Sequence, residues 1–217
     1  MDNDTPVEAV ADASALTPRS KRRSLTKIGG PWEDDLSLAE AYLEAAELLA
    51  EHCLSNRVSD RFPIPVYYNY RHSIELALKA NIRFVAQCLN RDVIPTEGPD
   101  YKKLQEELGR EHSIARLAGR LDELLRDLLP DEKVSAPADA LRWLHDLDAT
   151  GQAFRYSTIK RGRQTGAPAR PRPLHVDLEA DFSRLYSAAD YLIHGIPPYL
   201  ESYEAIINEI EFDKYRD

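Results

Sequence analysis

The chain has 217 residues, enough for one domain of ordinary size or for one domain with an ordered tail. Lys and Arg total 28 and Asp and Glu total 37, so the formal net charge is −9; 30% of the residues are charged and 43% are hydrophobic. The hydrophobic fraction excludes a wholly disordered chain, and the lack of an uncharged apolar run of about 18 residues excludes an integral membrane protein.

The first residues of the chain and its two cysteines indicate where in the cell the protein is expected. Residues 1–18 have neither a basic beginning nor an apolar middle, so we expect no secretory signal. The two cysteines, Cys53 and Cys88, lie in helix-like sequence and do not form the spaced framework of a disulfide-rich protein. The prediction is therefore a reducing, cytoplasmic location and no membrane partner.

The first predicted elements are an arm and a helix. Residues 1–30 are poor in large apolar side chains, which predicts a disordered basic arm before a helical domain over 31–217. Ser37 is expected to cap the first helix of that domain, over 38–56, where apolar residues recur at helical spacing.

A stronger helix is predicted next in the chain. Residues 61–65 contain two prolines and predict a stiff connection. The helix that follows covers 66–89, and Asn90 and Pro95 are expected to end it.

The rest of the chain is also mainly helical in pattern. Alternation of period two is nearly absent, except over 154–159, which predicts a short extended piece or hairpin. His194 and Gly195 are expected at a helix end, where glycine terminates helices and a cation suits the helix dipole. The fold prediction is an all-α bundle of about six or seven helices with one long insertion. The further predicted helices cover 101–108, 113–129, 138–147, 176–194 and 199–212.

Two short segments carry basic charge and no acidic residue. Residues 19–27 contain five basic side chains, and residues 149–176 contain six. The remaining 17 basic residues stand against all 37 acidic ones, which leaves about −20 on the rest of the chain. Local basic segments attract phosphate, although flexible, solvated surface loops are the alternative interpretation. Because loops longer than about 12–15 residues are uncommon inside compact domains, 149–176 is the most informative non-helical stretch.

The helix over 66–89 has a polar strip opposite its apolar face. One interpretation of this strip is a solvated surface with charge pairs such as Glu75–Lys79. The other is a partly covered site, because apolar residues flank the strip and its charged groups would perturb one another's pKa values. The strip consists of His72, Glu75, Lys79 and Arg83, and the predicted core face consists of Tyr67, Tyr70, Ile74, Leu78, Val85 and Cys88.

Three blocks of sequence stand in the order found in a known family. The first is RHxxELxLK, which begins at Arg71 and ends at Lys79; the second is HxI, which begins at His112; the third is Phe-Arg-Tyr, centred on Arg155. Together they resemble the HEPN superfamily of small helical prokaryotic proteins. The resemblance implies a HEPN-like bundle, often dimeric, in toxin–antitoxin, abortive-infection or other antiviral defence systems.

The resemblance also implies a class of chemistry. Active members are metal-independent ribonucleases with an Arg-x(4–6)-His motif, in which Arg stabilises phosphate charge and His moves a proton so that the RNA 2′-OH attacks the adjacent phosphate. The strict match to this spacing is Arg170 to His175, with prolines between them, whereas Arg71 and His72 are adjacent. The motif alone therefore does not locate a catalytic pair.

A composite site is the resulting prediction. His72 would transfer the proton, with Glu75 orienting it, while Arg155 and Lys79 would stabilise phosphate. The alternative is a buried ion-pair cluster that holds the insertion on the bundle. There is no HExxH or CxxC spacing, so neither a metal nor a cofactor is predicted. The further phosphate- or nucleotide-binding candidates are Arg71, His112, Tyr156, Lys160, Arg161 and Arg163, with Tyr156 as the stacking group.

Two functions follow from these predictions. The first is a defence or toxin-type protein that binds RNA or a nucleotide and, as an enzyme, would be a metal-independent endoribonuclease. The second is a non-catalytic helical subunit that assembles with a partner protein and docks through its basic segments. Either one would be a homodimer or part of a hetero-complex.

Overall fold

The computed structural model is mostly helical, which confirms the predicted all-α class. Its one sheet among the described residues is a two-stranded antiparallel hairpin. No helix in the described part of the chain combines the length and the apolar character needed to cross a membrane. The predicted arm over 1–30 lies outside the described residues, apart from Gly30. The structure describes residues 30, 33–56, 62–91, 93–94, 98–161, 164–170, 173–214 and 216.

The elements follow the predicted order with shifted ends. The strands β1 and β2 form the hairpin, and a π-helical turn joins the last two helices. The bounds are α1 (Asp35–Asn56), α2 (Pro63–Leu89), α3 (Tyr101–Arg110), α4 (Ile114–Leu128), α5 (Ala138–Leu147), β1 (Thr158–Arg161), β2 (Gln164–Pro168), α6 (Leu178–Asp190), the π turn (Tyr191–Gly195) and α7 (Pro197–Lys214).

Helix α2 is the centre of the bundle. It packs against α1, α3, α4, α6 and α7, so neighbours surround it. Its predicted core face is confirmed, because every residue of that face is buried, from Tyr67 to Cys88. Burial of that much apolar surface is the main stabilising contribution to the bundle. Since neighbours cover more than one side of α2, part of its polar strip is buried as well.

Two helices start earlier than predicted. Helix α2 begins at Pro63, a full turn before residue 66, because the first turn of a helix does not need the backbone N–H that proline lacks. Helix α1 begins at Asp35, with Asp34 as its cap in place of Ser37. The Ser37 backbone N–H donates to the Asp34 Oδ1 at 2.7 Å, and the Asp34 N–H donates to the Ser37 Oγ at 3.0 Å.

The predicted helix over 176–194 is shorter and ends in a wider turn. Helix α6 stops at Asp190, and the Ile196 backbone N–H donates to the Tyr191 carbonyl at 3.0 Å across the π turn. Asn81, buried in α2, donates to the Leu192 carbonyl at 2.7 Å and so satisfies a backbone group of this turn. Gly195 is required there, because a Cβ at this position would lie 2.4 Å from the Tyr191 ring.

The insertion after α5 contains the predicted hairpin, slightly later in the chain than 154–159. Strand β1 pairs with β2 in antiparallel register, with Ile159 opposite Ala167. Phe154 instead lies in a turn before the hairpin and is 7% exposed. Its ring stacks on the Tyr67 ring of α2, with centroids 5.2 Å apart, so this aromatic contact anchors the insertion to the bundle.

Candidate functional site

No residue of the polar strip of α2 is fully exposed, which contradicts its interpretation as a solvated face. Glu75 is 5% exposed and Lys79 is 7% exposed, and Arg71, beside the strip, is 4% exposed. Arg83, farther along the strip, pairs with Asp35 of α1 and is partly exposed. Because buried charges are costly unless they are paired and hydrogen-bonded, the partners of these three residues define the local energetics.

Glu75 is the centre of the buried charges. Its Oε1 accepts hydrogen bonds from the Lys79 Nζ and the His112 Nδ1, both at 2.8 Å, and its Oε2 accepts one from the Arg71 Nη1 at 2.8 Å. Burial alone would raise the pKa of the Glu75 carboxyl, but the hydrogen bonds from Lys79, His112 and Arg71 outweigh burial and lower this pKa to about 2. Glu75 is therefore ionised throughout the physiological range.

Arg71 joins three segments of the chain. Besides Glu75 on its own helix, its Nη2 donates to the His112 carbonyl at 2.6 Å, in the connection between α3 and α4. Its Nε lies 3.3 Å from the Asp148 Oδ2, directly after α5. Arg71, Glu75, Lys79, His112 and Asp148 thus form one cluster, which we call the Glu75 network.

Two exposed side chains lie at the Glu75 network: His112, which belongs to it, and Arg155, which follows the turn that packs on Arg71. The His112 side chain is 47% exposed although its Nδ1–H is held by Glu75. Arg155 is exposed, and its Nε donates to the Gly151 carbonyl at 2.9 Å. Among the residues that the structure describes, no carboxylate lies within ion-pair distance of Arg155. Tyr156, 53% exposed, follows it, with the Arg155 guanidinium 5.8 Å from the centre of its ring.

His72 lies between two tyrosines and is half-buried. The Tyr42 ring approaches it edge-on at 4.4 Å between centroids, and the Tyr68 ring lies parallel at 5.7 Å. Burial lowers the pKa of His72 below its usual value; the positive charges of Arg155, Arg71 and Lys79 lower it further, and the negative charge of Glu75 opposes this only in part. The ring is therefore neutral at pH 7.

The predicted pairing of Glu75 with His72 is wrong. Within the described residues the Glu75 carboxylate accepts its hydrogen bonds from Arg71, Lys79 and His112, so His112 is the histidine that Glu75 orients. The sequence alone could not show which histidine contacts Glu75. The 3.6-residue helical period places His72 near Glu75, whereas the approach of His112 depends on tertiary packing.

The other predicted site residues fall into two groups. Arg71, Glu75, Lys79 and His112 come together as one cluster, and the charge of Arg155 acts on His72. Lys160 and Arg161 belong to β1, but their side chains, and Arg163 entirely, lie outside the described residues, so their roles stay predictions.

The strict Arg170–His175 match does not form a pair in the described structure. Arg170 is partly buried, and its Nη1 donates to the Tyr156 carbonyl at 3.5 Å. His175 is exposed, and in the part of the chain that the structure describes no hydrogen bond or ion pair joins it to Arg170. The geometry therefore gives this motif match no support as a catalytic pair.

Sequence reasoning missed two residues of the site. Asp148 is 3% exposed and belongs to the Glu75 network, and Gly151 packs directly on the Arg71 guanidinium. The available signal was an Asp followed three residues later by a Gly just after a helix, which is typical of a side-chain-capped turn. That pattern lies immediately before the Phe-Arg-Tyr block.

A groove lies next to the connection that carries His112. It runs between α3 and α4 and has a volume of about 550 Å³. Its charges are mixed, with Glu111 accepting hydrogen bonds from the His112 and Ser113 backbone N–H groups at one end. The basic residues that line it are Lys103, Arg110, Arg116 and Arg120.

Comparisons with protein-family models, with curated proteins and with solved structures find no match to this chain. The resemblance to HEPN proteins therefore rests on its three sequence blocks. The first two blocks supply Arg71, Glu75, Lys79 and His112, which contact one another although the blocks are far apart in sequence. Arg155 of the third block donates to the carbonyl of Gly151, which packs on the Arg71 guanidinium.

Proposed function

We propose that the chain is a HEPN-like helical protein of the defence or toxin type that binds RNA and cleaves it without a metal ion. The observation that carries this proposal is the contact between the first two sequence blocks, in which a half-exposed histidine has its Nδ1–H held by a buried, ionised carboxylate. A carboxylate in this position fixes the tautomer and the orientation of the imidazole, as general acid–base catalysis requires.

His112 is the proton-transfer group of this proposal. With its Nδ1–H donated to Glu75, its Nε2 carries the free lone pair. This nitrogen takes the proton of an RNA 2′-OH, the 2′ oxygen bonds to the adjacent phosphorus, and the bond from phosphorus to the 5′ oxygen of the next nucleotide breaks. The products are a 2′,3′-cyclic phosphate and a 5′-OH, with the leaving oxygen protonated from water or from a second acid.

Arg155 is the phosphate-binding group in place of Lys79. The positive charges of Arg71 and Lys79 are balanced inside the network by Glu75 and Asp148, and Lys79 is only 7% exposed. Arg155 has no carboxylate partner among the described residues and is exposed, so its charge is available to a phosphate. Tyr156 beside it offers an exposed ring for stacking on a base.

Incubation of the purified protein with total RNA in the presence of a chelator tests the proposal. The wild type is expected to produce fragments that end in 2′,3′-cyclic phosphate, and His112→Gln is expected to lose most of this activity. His194→Gln is the matched control, because His194 also contacts a carboxylate but lies far along the chain from the three blocks. Absence of cleavage by the wild type, or equal cleavage by His112→Gln, contradicts the proposal.

A non-catalytic helical subunit is the second candidate, and the charge balance of the Glu75 network favours it. In this alternative the network only holds the insertion on the bundle, and the protein acts through a partner. The two candidates differ at Arg155, whose side chain is exposed and donates a hydrogen bond to the Gly151 carbonyl in a neighbouring turn. Loss of RNA binding in Arg155→Ala, with the melting temperature unchanged, favours the first candidate, and unchanged RNA binding favours the second.

A further inference from the structure

The turn after α5 is built around Asp148. This residue ends the helix, with its backbone N–H donating to the Leu144 carbonyl at 3.1 Å. Its Oδ1 accepts hydrogen bonds from the backbone N–H groups of Gln152 at 2.9 Å and Ala153 at 3.0 Å. One buried carboxylate oxygen therefore fixes the path of the chain up to the residue before Phe154.

The other carboxylate oxygen of Asp148 holds this turn against α2. The Asp148 Oδ2 and the Arg71 Nε are both buried and lie 3.3 Å apart, and neither makes a hydrogen bond with a described residue. Opposite charge, rather than a directed hydrogen bond, therefore holds the turn against Arg71. Because the pair is shielded from water, this attraction is stronger than the same contact at the surface.

Gly151 lets the turn approach Arg71 closely. Its φ of +74° lies in the left-handed region, and a Cβ there would lie 2.9 Å from the Arg71 Nη2 and 3.0 Å from its Cζ. Only glycine meets both the backbone requirement and the steric one. The Gly151 carbonyl then accepts the Nε–H of Arg155 at 2.9 Å, which leaves both Nη nitrogens of Arg155 to a ligand.

We infer that Asp148 and Gly151 are positioning residues that hold Arg155 where it binds a phosphodiester. Both residues pack against the Arg71 guanidinium, which fixes their position on α2. This inference rests on the proposed function, since it assigns the anchor for the RNA backbone. It adds that the site is assembled through the turn over 148–153 rather than by Arg155 alone.

RNA binding by matched glycine variants tests the inference. The probe is a short fluorescein-labelled single-stranded 2′-fluoro RNA, which lacks the nucleophilic hydroxyl and so cannot be cleaved. Gly151→Ala is expected to weaken binding by about tenfold, as Arg155→Ala does, because a phosphate loses a charge-assisted contact. Gly166→Ala is the control: its φ is +80°, but no atom of the described residues lies within 4 Å of the added Cβ, so it imposes similar backbone strain without moving Arg155.

The double variant separates positioning from general damage. If Gly151 acts only through Arg155, Gly151→Ala in an Arg155→Ala background is expected to cause no further loss of affinity. Additive losses, or a loss of the same size in Gly166→Ala, overturn the inference.

Asp148→Asn keeps the inference testable if Gly151→Ala does not fold. Asn retains an oxygen for the Gln152 and Ala153 N–H groups and removes the charge that faces Arg71. Binding is expected to weaken several-fold in this variant, and again not at all in the Arg155→Ala background. Unchanged binding in Asp148→Asn, together with weakened binding in Arg155→Ala, overturns the role of Asp148.

A second readout does not depend on RNA. The positive charge of Arg155 lowers the pKa of His72, so displacement of Arg155 raises this pKa toward its usual value. Titration of the His72 ring protons by NMR is expected to show this rise in Arg155→Ala and in Gly151→Ala, but not in Gly166→Ala. If the wild type fails to bind RNA, the proposed function fails while this titration still decides the positioning claim. A His72 pKa that moves in Arg155→Ala but not in Gly151→Ala overturns it.

Discussion

Two histidines of this protein make nearly the same contact with a carboxylate in very different surroundings. The His112 Nδ1 lies 2.8 Å from the Glu75 carboxylate, and the His194 Nδ1 lies 2.9 Å from the Asp190 carboxylate. The Glu75 side chain is 7% exposed and has two further cationic partners, whereas the Asp190 side chain is 44% exposed. The comparison shows that burial and companion charges, rather than the contact itself, separate a candidate catalytic histidine from a surface ion pair.

The pKa shifts at the two sites have different origins. At the buried site the carboxyl of Glu75 shifts, because three donors hold its charged form despite burial. At the exposed site His194 shifts, its pKa raised first by the hydrogen bond to Asp190 and further by Glu40, against the effect of burial. Water screens the exposed contact, so its effect on stability is small.

The largest expected effect comes from breaking the buried contact. Glu75→Gln leaves Arg71 and Lys79 buried without their shared carboxylate and is expected to lower the free energy of unfolding by about 3–5 kcal/mol. Asp190→Asn, the matched change at the exposed site, is expected to cost less than about 1 kcal/mol. Urea denaturation at pH 7 measures both. A cost below about 1 kcal/mol for Glu75→Gln would mean that the network does not support the fold.

An intermediate effect is expected where a buried carboxylate has a neutral partner. The Tyr67 hydroxyl donates to the Asp181 Oδ2 at 2.7 Å, and both residues are buried. Tyr67→Phe leaves one carboxylate oxygen without its donor and is expected to cost about 1–3 kcal/mol in the same denaturation experiment. Tyr156→Phe removes an exposed hydroxyl and is the control, with an expected change close to zero. Equal costs in the two variants would show that burial is not the deciding factor.

The pH dependences of stability at the two sites have opposite signs, and the smallest effect is that of His194. The pKa of Glu75 is about 2 when folded, below its ordinary 4.5, so its contribution is present above pH 4.5 and is lost as the pH falls toward 2. The pKa of His194 is raised when folded, so its contribution is present below its ordinary 6.5 and is lost as the pH rises through the folded pKa.

Denaturation at a series of pH values checks these signs. The difference between wild type and Glu75→Gln is expected to shrink below pH 4.5. The difference between wild type and His194→Gln is expected to stay below about 1 kcal/mol and to vanish at alkaline pH. A His194 contribution that grows with rising pH would contradict the assigned ion pair.

The helices and the apolar core face could be predicted from sequence because they depend on local periodicity. Tyr70, Ile74 and Leu78 recur at helical spacing, and all three are fully buried. The start of α2 at Pro63 was missed because a proline predicts the end of an earlier element as readily as the first turn of a new one.

The candidate site was only partly predictable, because its geometry depends on long-range packing. Periodicity places His72, Glu75 and Lys79 on one strip but does not say which neighbour covers it. His112 and Asp148 reach that strip from segments that follow α3 and α5, and no local pattern encodes those approaches. The contact of Glu75 with His112 rather than His72 follows from tertiary packing alone.

The central claim is that His112, oriented by Glu75, transfers the proton in RNA cleavage. The most direct measurement compares the cleavage rates of His112→Gln and His72→Gln with that of the wild type, on one RNA and in the presence of a chelator. We expect a loss of about a hundredfold or more for His112→Gln, in line with the removal of a general base, and a clearly smaller loss for His72→Gln. A larger loss for His72→Gln, or no loss for His112→Gln, would contradict the assignment of proton transfer to His112.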